Sequence, residues 1–237
     1  MAYKASRSRR NFELGLRPYF KMLRSVDTNA TDPQIRQYVI AATIFLSHAS
    51  LENYIRDLFD GICSAFTFQT VPGKQLPKEL RVFIIARSSN LESYYSNFHA
   101  SGDEGKLLAN LSNILKNPKR TLIDDGLPIP KFTGPEIISG KSYPSADNLQ
   151  KIFHRIGIPK IFSKLTAELR SDSELLLKGF SDKRTELAHN AVIPGTSAQD
   201  VADEIKRITK FVAALDRISY RHVTGLVSQK IWFSQAC

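Results

Sequence analysis

Two residue types suited to phosphate chemistry lie close together in the segment SDKRTELAHNAVIPG, residues 181–195. Arg184 can hold two phosphate oxygens at once, and His189 can carry a proton near neutral pH. On an α-helix these two side chains would point roughly 140° apart and lie about 7.5 Å apart along the axis. One helix alone therefore makes a loose site. Two such helices that meet across a two-fold axis would bring two arginines and two histidines into one cleft.

Three neighbours of this pair are candidate supporting residues. Thr185 precedes His189 by four positions, so its hydroxyl can hydrogen-bond or orient the imidazole. Lys183 is either a ligand for substrate phosphates, such as those of RNA, or a solvated surface lysine. Asn190 is either a helix C-cap or a contact to substrate. For the pair itself, the structural alternative is that a helix C-terminus favours an arginine and a histidine because they complement its dipole.

A second polar pair lies in the early helical segment ATIFLSHASLENYIRDLF. His48 and Glu52 are four residues apart and share a helix face. Glu52 also continues an apolar stripe, where a carboxylate is costly unless it is paired. Two interpretations follow: either the two side chains form an internal hydrogen bond that ties helices together, or Glu52 faces the cleft and orients Arg184 or His189.

The elements that must position these residues are helical. Thr31 or Asp32 can cap a helix that has Pro33 at its first position, and two apolar stripes run along this helix to Phe68. We predict that it is the central helix of a bundle, with partners around it. Ser197 and Asp200 form a capping box at the start of the last and longest predicted helix.

Between these helices, residues 69–145 hold most of the prolines and many of the glycines, with two or three short helical patterns between the breaks. We interpret this region as an insertion, with a surface loop over Thr121 to Ser145. The predicted fold is an all-α, up-and-down helical bundle with a loop-rich helical insertion. We expect a single domain over residues 1–237. Its first part, residues 1–30, is a basic N-terminal arm.

Composition narrows the class of protein further. The net charge of +10 favours a polyanionic partner over a purely solubilising role. Much of the excess positive charge lies in the N-terminal arm. This arm is either a flexible phosphate-binding tail or a disordered solubilising end. No apolar run reaches the ~20 residues of a membrane span, and no secretory signal is visible. The two cysteines lack ligand spacing, and we find no phosphate loop or zinc motif. We expect a cytoplasmic protein with no membrane contact, no metal and no cofactor.

The segment KRTELAHN, followed by a turn and a long amphipathic helix, resembles the HEPN superfamily, whose hallmark is an arginine and a histidine separated by four to six residues. The segment around His48 resembles the first core helix of the RiboL-PSP-associated subgroup. The resemblance covers Pro33 to Ser64 and about Ser145 to Ser228, and leaves out the arm and the insertion. Arg184 and His189 match the motif, whereas Thr185 stands where the family often has asparagine.

This resemblance implies a metal-independent RNA endonuclease that acts at a homodimer cleft, as a toxin or antiphage defence effector. A cognate antitoxin or another defence protein is a candidate partner. The expected products are a 2′,3′-cyclic phosphate, or the 3′-phosphate from its hydrolysis, and a 5′-hydroxyl. The alternative is a catalytically inactive HEPN scaffold that dimerises and binds RNA or a partner protein. A protein–protein adaptor without a nucleic-acid role is a third, weaker possibility.

Overall fold

The structure, a computed structural model, consists of helices and connecting loops over the residues that it describes, which confirms the all-α prediction. The described ranges contain no strand and no helix with the length and apolar character of a membrane span. The described residues are 2–27, 31–67, 71–88, 91–112, 131–141, 143–190 and 195–237. The helices are α1 (Arg7–Val26), α2 (Pro33–Phe66), α3 (Lys78–Ser88), α4 (Leu91–Ser101), α5 (Glu104–Ser112), α6 (Gly134–Ile138), α7 (Ala146–Arg155), α8 (Ile161–Leu169), α9 (Ser173–Asn190), α10 (Ala198–Leu226) and α11 (Gln229–Gln235).

Helix α2 is the centre of the bundle, as predicted. The carboxylate of Asp32 accepts hydrogen bonds from the backbone N–H groups of Gln34 and Ile35, which caps the helix ahead of its first turn. Helices α1, α6, α9, α10 and α11 pack against it. Partners do not surround its first half, however, because Tyr38 is 67% exposed and Phe45 is 37% exposed. The prediction of an encircled helix is wrong for that half.

Helix α10 provides the second long wall of the core. It starts at the predicted capping box, in which Ser197 and Asp200 bond each other's backbone N–H groups. The predicted stripe from Val201 to Leu215 is buried. With 29 residues α10 is shorter than α2, which has 34, so it is not the longest helix. Nor is it the last, because α11 follows and buries Trp232.

The N-terminal segment is neither a flexible tail nor a disordered end. Helix α1 packs along α2 and buries Phe12, Leu16 and Leu23. Its start is fixed by the fully buried carboxylate of Asp216 on α10, which accepts hydrogen bonds from the Tyr3 hydroxyl (2.5 Å), the Ser6 hydroxyl (2.5 Å) and the Ser6 backbone N–H (3.1 Å). The predicted basic arm is therefore the first helix of the bundle.

The predicted insertion, residues 69–145, contributes α3 to α6. Apolar residues of α3 and α6 join the core that the long helices form, whereas Tyr95 on α4 and Leu108 on α5 are exposed. Part of the predicted surface loop is packed, since Phe132 and Ile137 are buried. Here α6 lies directly on α2, where the backbone N–H of Gly134 donates to the Asp60 carboxylate at 3.1 Å. A Cβ atom at Gly134 would lie 2.7 Å from the Asp60 backbone nitrogen, so glycine permits this approach. The rest of that loop, residues 121–130, lies outside the described residues.

Candidate functional site

The predicted motif occupies the last two turns of α9. The helix starts where the carboxylate of Asp172 accepts from the backbone N–H groups of Glu174 and Leu175. Leu177, Phe180 and Leu187 bury one side of α9 in the core. Arg184 falls on this inward side, because it lies four residues after Phe180 and three before Leu187.

The guanidinium of Arg184 is half-buried and lies against an aromatic ring. Its central carbon is 5.1 Å from the ring centroid of Tyr143, which lies two residues before Ser145, the N-cap of α7. This distance is within the range of a cation–π contact. Among the described residues no carboxylate forms an ion pair with Arg184. The site thus holds a positive charge against an aromatic ring with no ion-pair partner in the described ranges, which suits an anionic ligand.

His189 lies on a different side of the same helix. Its side chain is exposed, and none of the described residues hydrogen-bonds to it. The roughly 140° between positions five residues apart on a helix accounts for this divergence from Arg184. Within one chain the arginine and the histidine consequently do not converge on one closed cavity.

His48 ties α2 to α9 directly behind Arg184. Its Nε2–H donates to the backbone oxygen of Phe180 at 2.7 Å, and its ring stacks on the Phe180 ring with centroids 3.8 Å apart. Burial is the main cause that lowers the pKa of His48 to about 4; the nearby charge of Arg184 acts in the same direction, and the hydrogen bond to Phe180 opposes it. The imidazole is therefore neutral at neutral pH, and its buried Nδ1 has no described hydrogen-bond partner.

The predicted hydrogen bond between His48 and Glu52 is wrong, because Nε2 bonds Phe180 and Nδ1 has no described partner. Glu52 is half-buried on α2 and forms no ion pair with a described residue. The idea that Glu52 orients Arg184 or His189 stays a prediction.

Thr185 does not orient His189 as expected. Its hydroxyl donates to the backbone oxygen of Ser181 in the preceding turn, at 3.1 Å, and so satisfies its own helix. Lys183 is neither a free phosphate ligand nor a solvated lysine, since its ammonium lies 2.7 Å from the carboxylate of Glu204 on α10. Asn190 is exposed and is the last residue of α9. Its role as a cap or as a contact to RNA stays open to experiment.

Sequence reasoning missed Tyr143. It had placed this residue in a turn-rich surface segment, where a tyrosine followed by Pro144 carries no sign of a partner on a distant helix. The usable signal is the position just ahead of a capped helix, because Ser145 accepts a hydrogen bond from the Asn148 backbone and fixes where α7 begins. Among the described residues, no three histidine, cysteine, aspartate or glutamate side chains gather as a metal site.

Comparison with known proteins supports the resemblance drawn from the motif. The family model for the RiboL-PSP-HEPN domain matches residues 19–220. The match spans the insertion and the end of α1, which the resemblance by motif had left out. No curated protein and no solved structure matches the chain. Since the family model covers most of the 237 residues, the chain belongs to the RiboL-PSP-HEPN family.

Proposed function

We propose that this protein is a metal-independent RNA endonuclease in which Arg184 binds the scissile phosphate and His189 transfers protons. The observation that carries the proposal is the half-buried guanidinium of Arg184, which rests on the Tyr143 ring and has no carboxylate partner among the described residues. Membership of a HEPN family supports an RNA-related or nuclease role. The net charge of +10 further favours a polyanionic substrate.

The chemistry needs only groups that the substrate and these two side chains supply. The 2′-hydroxyl of RNA attacks the adjacent phosphorus and forms a 2′-O–P bond, while the P–O5′ bond breaks. The 2′-proton leaves to His189 of one chain, and the departing 5′-oxygen receives a proton from the protonated histidine of the second chain. Arg184 stabilises the charge that builds on the phosphate oxygens. The products are a 2′,3′-cyclic phosphate, or the 3′-phosphate after hydrolysis, and a 5′-hydroxyl. DNA resists because it lacks the 2′-hydroxyl.

A homodimer completes this site, because Arg184 and His189 diverge within one chain. The surface that supports dimerisation is an exposed apolar face on the first half of α2, here named the α2 outer face. It is uncharged and about 21 Å long at the helical rise per residue. A second copy of this face is its occupant, because Ala42 in the middle of the face and Ala49 at its end allow two helices to approach closely. The α2 outer face comprises Ile35, Tyr38, Ala42, Phe45, Leu46 and Ala49.

The α2 outer face adjoins the Arg184 site. Phe45 lies three residues before His48, whose ring packs on α9 beside Arg184. A two-fold axis through this face would therefore bring the α9 helices of two chains near each other. The histidine of one chain can then serve the phosphate held by the arginine of the other.

Cleavage of a mixed single-stranded RNA in EDTA tests the nuclease proposal. The parent protein is compared with Arg184→Ala and His189→Ala, and Lys178→Ala serves as a control that removes a charge from an exposed position on the same helix. We expect cleavage by the parent and by the control, and a loss of at least roughly 100-fold in either motif variant. Equal cleavage by all four proteins would reveal a contaminating nuclease and contradict the proposal.

A catalytically inactive scaffold is the second candidate function. Two observations favour it: Arg184 and His189 point to different sides of α9, and the Thr185 hydroxyl bonds its own helix where the family often carries asparagine. In the same experiment, RNA binding without cleavage by the parent identifies the scaffold.

The proposed biological role is that of a toxin or defence effector, which is restrained by an antitoxin or acts with another defence protein. This role predicts that expression of the parent arrests growth and that expression of Arg184→Ala does not.

A further inference from the structure

A cavity of about 460 Å³ lies among α3, α4 and α7, at the opposite end of α7 from Tyr143. Helix α7 has ten residues, so roughly 15 Å of helix separates this cavity from the ring that holds Arg184. The cavity is therefore distinct from the candidate nuclease site. Its described lining residues are Phe83, Ala86, Arg87, Ser93, Ser96, Ser139 and Arg155.

Two guanidinium groups converge in this cavity on one residue. Arg87 donates from Nη2 to the hydroxyl of Ser139 at 2.7 Å, and Arg155 donates from Nη1 to the Ser139 backbone oxygen at 3.1 Å. Arg155 is also fixed by a bond to the backbone oxygen of Ile137 and by its position 4.3 Å above the Phe83 ring centroid. The second guanidinium is therefore held rigidly in the cavity wall.

These two positive charges face each other across the cavity. No carboxylate occurs among the described side chains that line the cavity. Burial lowers the pKa of Arg155, and the charge of Arg87 lowers it further, as expected for like charges held close together. Both arginines keep their protons at neutral pH because a guanidinium is effectively always charged. A bound dianion would relieve this repulsion and would accept the guanidinium donors that Ser139 and Ile137 leave unused.

We propose that this cavity binds a small phosphorylated metabolite of the sugar phosphate class. The two guanidiniums suit the oxygens of a phosphate, which they can engage with paired N–H groups. The volume exceeds what a phosphate alone requires and falls within the range of small-molecule sites. Ser93 adds a hydroxyl group that suits the hydroxyls of a sugar. A nucleobase fits this cavity less well, because Arg155 already covers the face of the Phe83 ring on which a base could stack.

Isothermal titration calorimetry at fixed ionic strength tests this assignment. Four compounds are titrated into the protein: ribose 5-phosphate, inorganic phosphate, ribose and a 5′-phosphorylated RNA oligonucleotide. We expect ribose 5-phosphate to bind most tightly, inorganic phosphate to compete with it, and ribose not to bind. Arg87→Ala is the informative variant because Arg87 is exposed and Ser139 is its hydrogen-bond partner within the described part of the chain, so the fold should tolerate the change. Affinity should fall at least roughly 10-fold, the effect of one charge-assisted contact.

Two controls make the test specific. Lys78→Ala removes an exposed positive charge from the start of the same helix, α3, and should leave the affinity unchanged. Arg184→Ala should also leave it unchanged, so failure of the nuclease proposal and failure of this one are distinguishable. The assignment is overturned if neither phosphate compound binds, if Arg87→Ala binds as the parent does, or if only the RNA oligonucleotide binds.

Discussion

At Arg184 the positive charge lies against a ring, and this contact has a measurable consequence. Cation–π contacts contribute about 0.5–2 kcal/mol, so loss of the ring at position 143 should loosen the guanidinium and weaken its hold on phosphate. We expect Tyr143→Ala to reduce RNA cleavage roughly 2- to 10-fold. Tyr143→Phe keeps the ring and loses only the hydroxyl, so its cleavage rate should match that of the parent. Single-turnover rates on one RNA substrate would check both, and equal losses in the two variants would contradict a role for the ring.

His48 predicts a specific pH dependence of stability. Its pKa is lowered from 6.5 to about 4 in the folded protein, so the unfolded chain binds the proton first as pH falls. The stabilisation that comes from the neutral imidazole is complete above pH 6.5 and is lost as pH falls toward 4. The shift corresponds to about 3 kcal/mol of unfolding free energy.

His48→Gln isolates this contribution. Glutamine can donate to the Phe180 backbone oxygen, as the Nε2–H of His48 does, and it does not titrate. Urea unfolding at pH 7.5 and pH 4.5 should show a larger drop in unfolding free energy for the parent than for the variant. Identical drops in the two proteins would show that this histidine is not held neutral by the fold.

Among the elements, the start of α1 is anchored by the buried carboxylate of Asp216, in addition to the packing of the helix along α2. Asp216→Ala would leave the hydroxyls of Tyr3 and Ser6 without their acceptor and should lower the free energy of unfolding by roughly 3 kcal/mol. The matched control is Asp203→Ala on the same helix, because its ion pair with Lys206 is exposed and should contribute little. Urea denaturation provides the comparison, and limited proteolysis should release α1 first in Asp216→Ala. Equal stability of the two variants would contradict the anchoring role.

Helix starts were predictable where the signal is local. Asp32 before Pro33, and Ser197 three residues before Asp200, place the caps of α2 and α10 because capping involves only neighbours in sequence. The bonds to Asp216 were not predictable, since Ser6 lies 210 residues away and nothing local marks the two as partners.

The candidate site divides in the same way. Arg184 and His189 were recognisable from spacing within one helix, and their divergence follows from helical geometry. The contact of Arg184 with Tyr143 depends on how α7 and α9 pack, which spacing does not encode. His48 was assigned to the wrong partner for the same reason, because its acceptor is a backbone oxygen of another helix.

For the whole molecule, the α2 outer face predicts the state of association. Phe45→Asp would bring a carboxylate into the proposed two-fold interface and should weaken dimerisation at least roughly 100-fold, with little effect on folding because Phe45 is exposed in the single chain. The control is Val82→Asp, which introduces the same charge at an exposed apolar position outside the α2 outer face, on α3. This variant should leave dimerisation unchanged. Light scattering at micromolar concentration gives the mass. A monomeric parent would contradict the composite cleft, and cleavage should fall together with the dimer.

The hydrogen bonds that join the start of α1 to residues 216 and 236 have a consequence for synthesis at the ribosome. The Ser6 backbone N–H donates to Asp216, and the Arg7 backbone N–H donates to the Ala236 oxygen at 2.8 Å, so both acceptors are translated long after the start of α1. At about 5–20 residues per second, the start of α1 stays unanchored for roughly 10–40 s after it emerges. A nascent chain stalled before residue 216 should therefore expose α1 to proteases and chaperones, because the acceptor for the start of the helix has not yet been made.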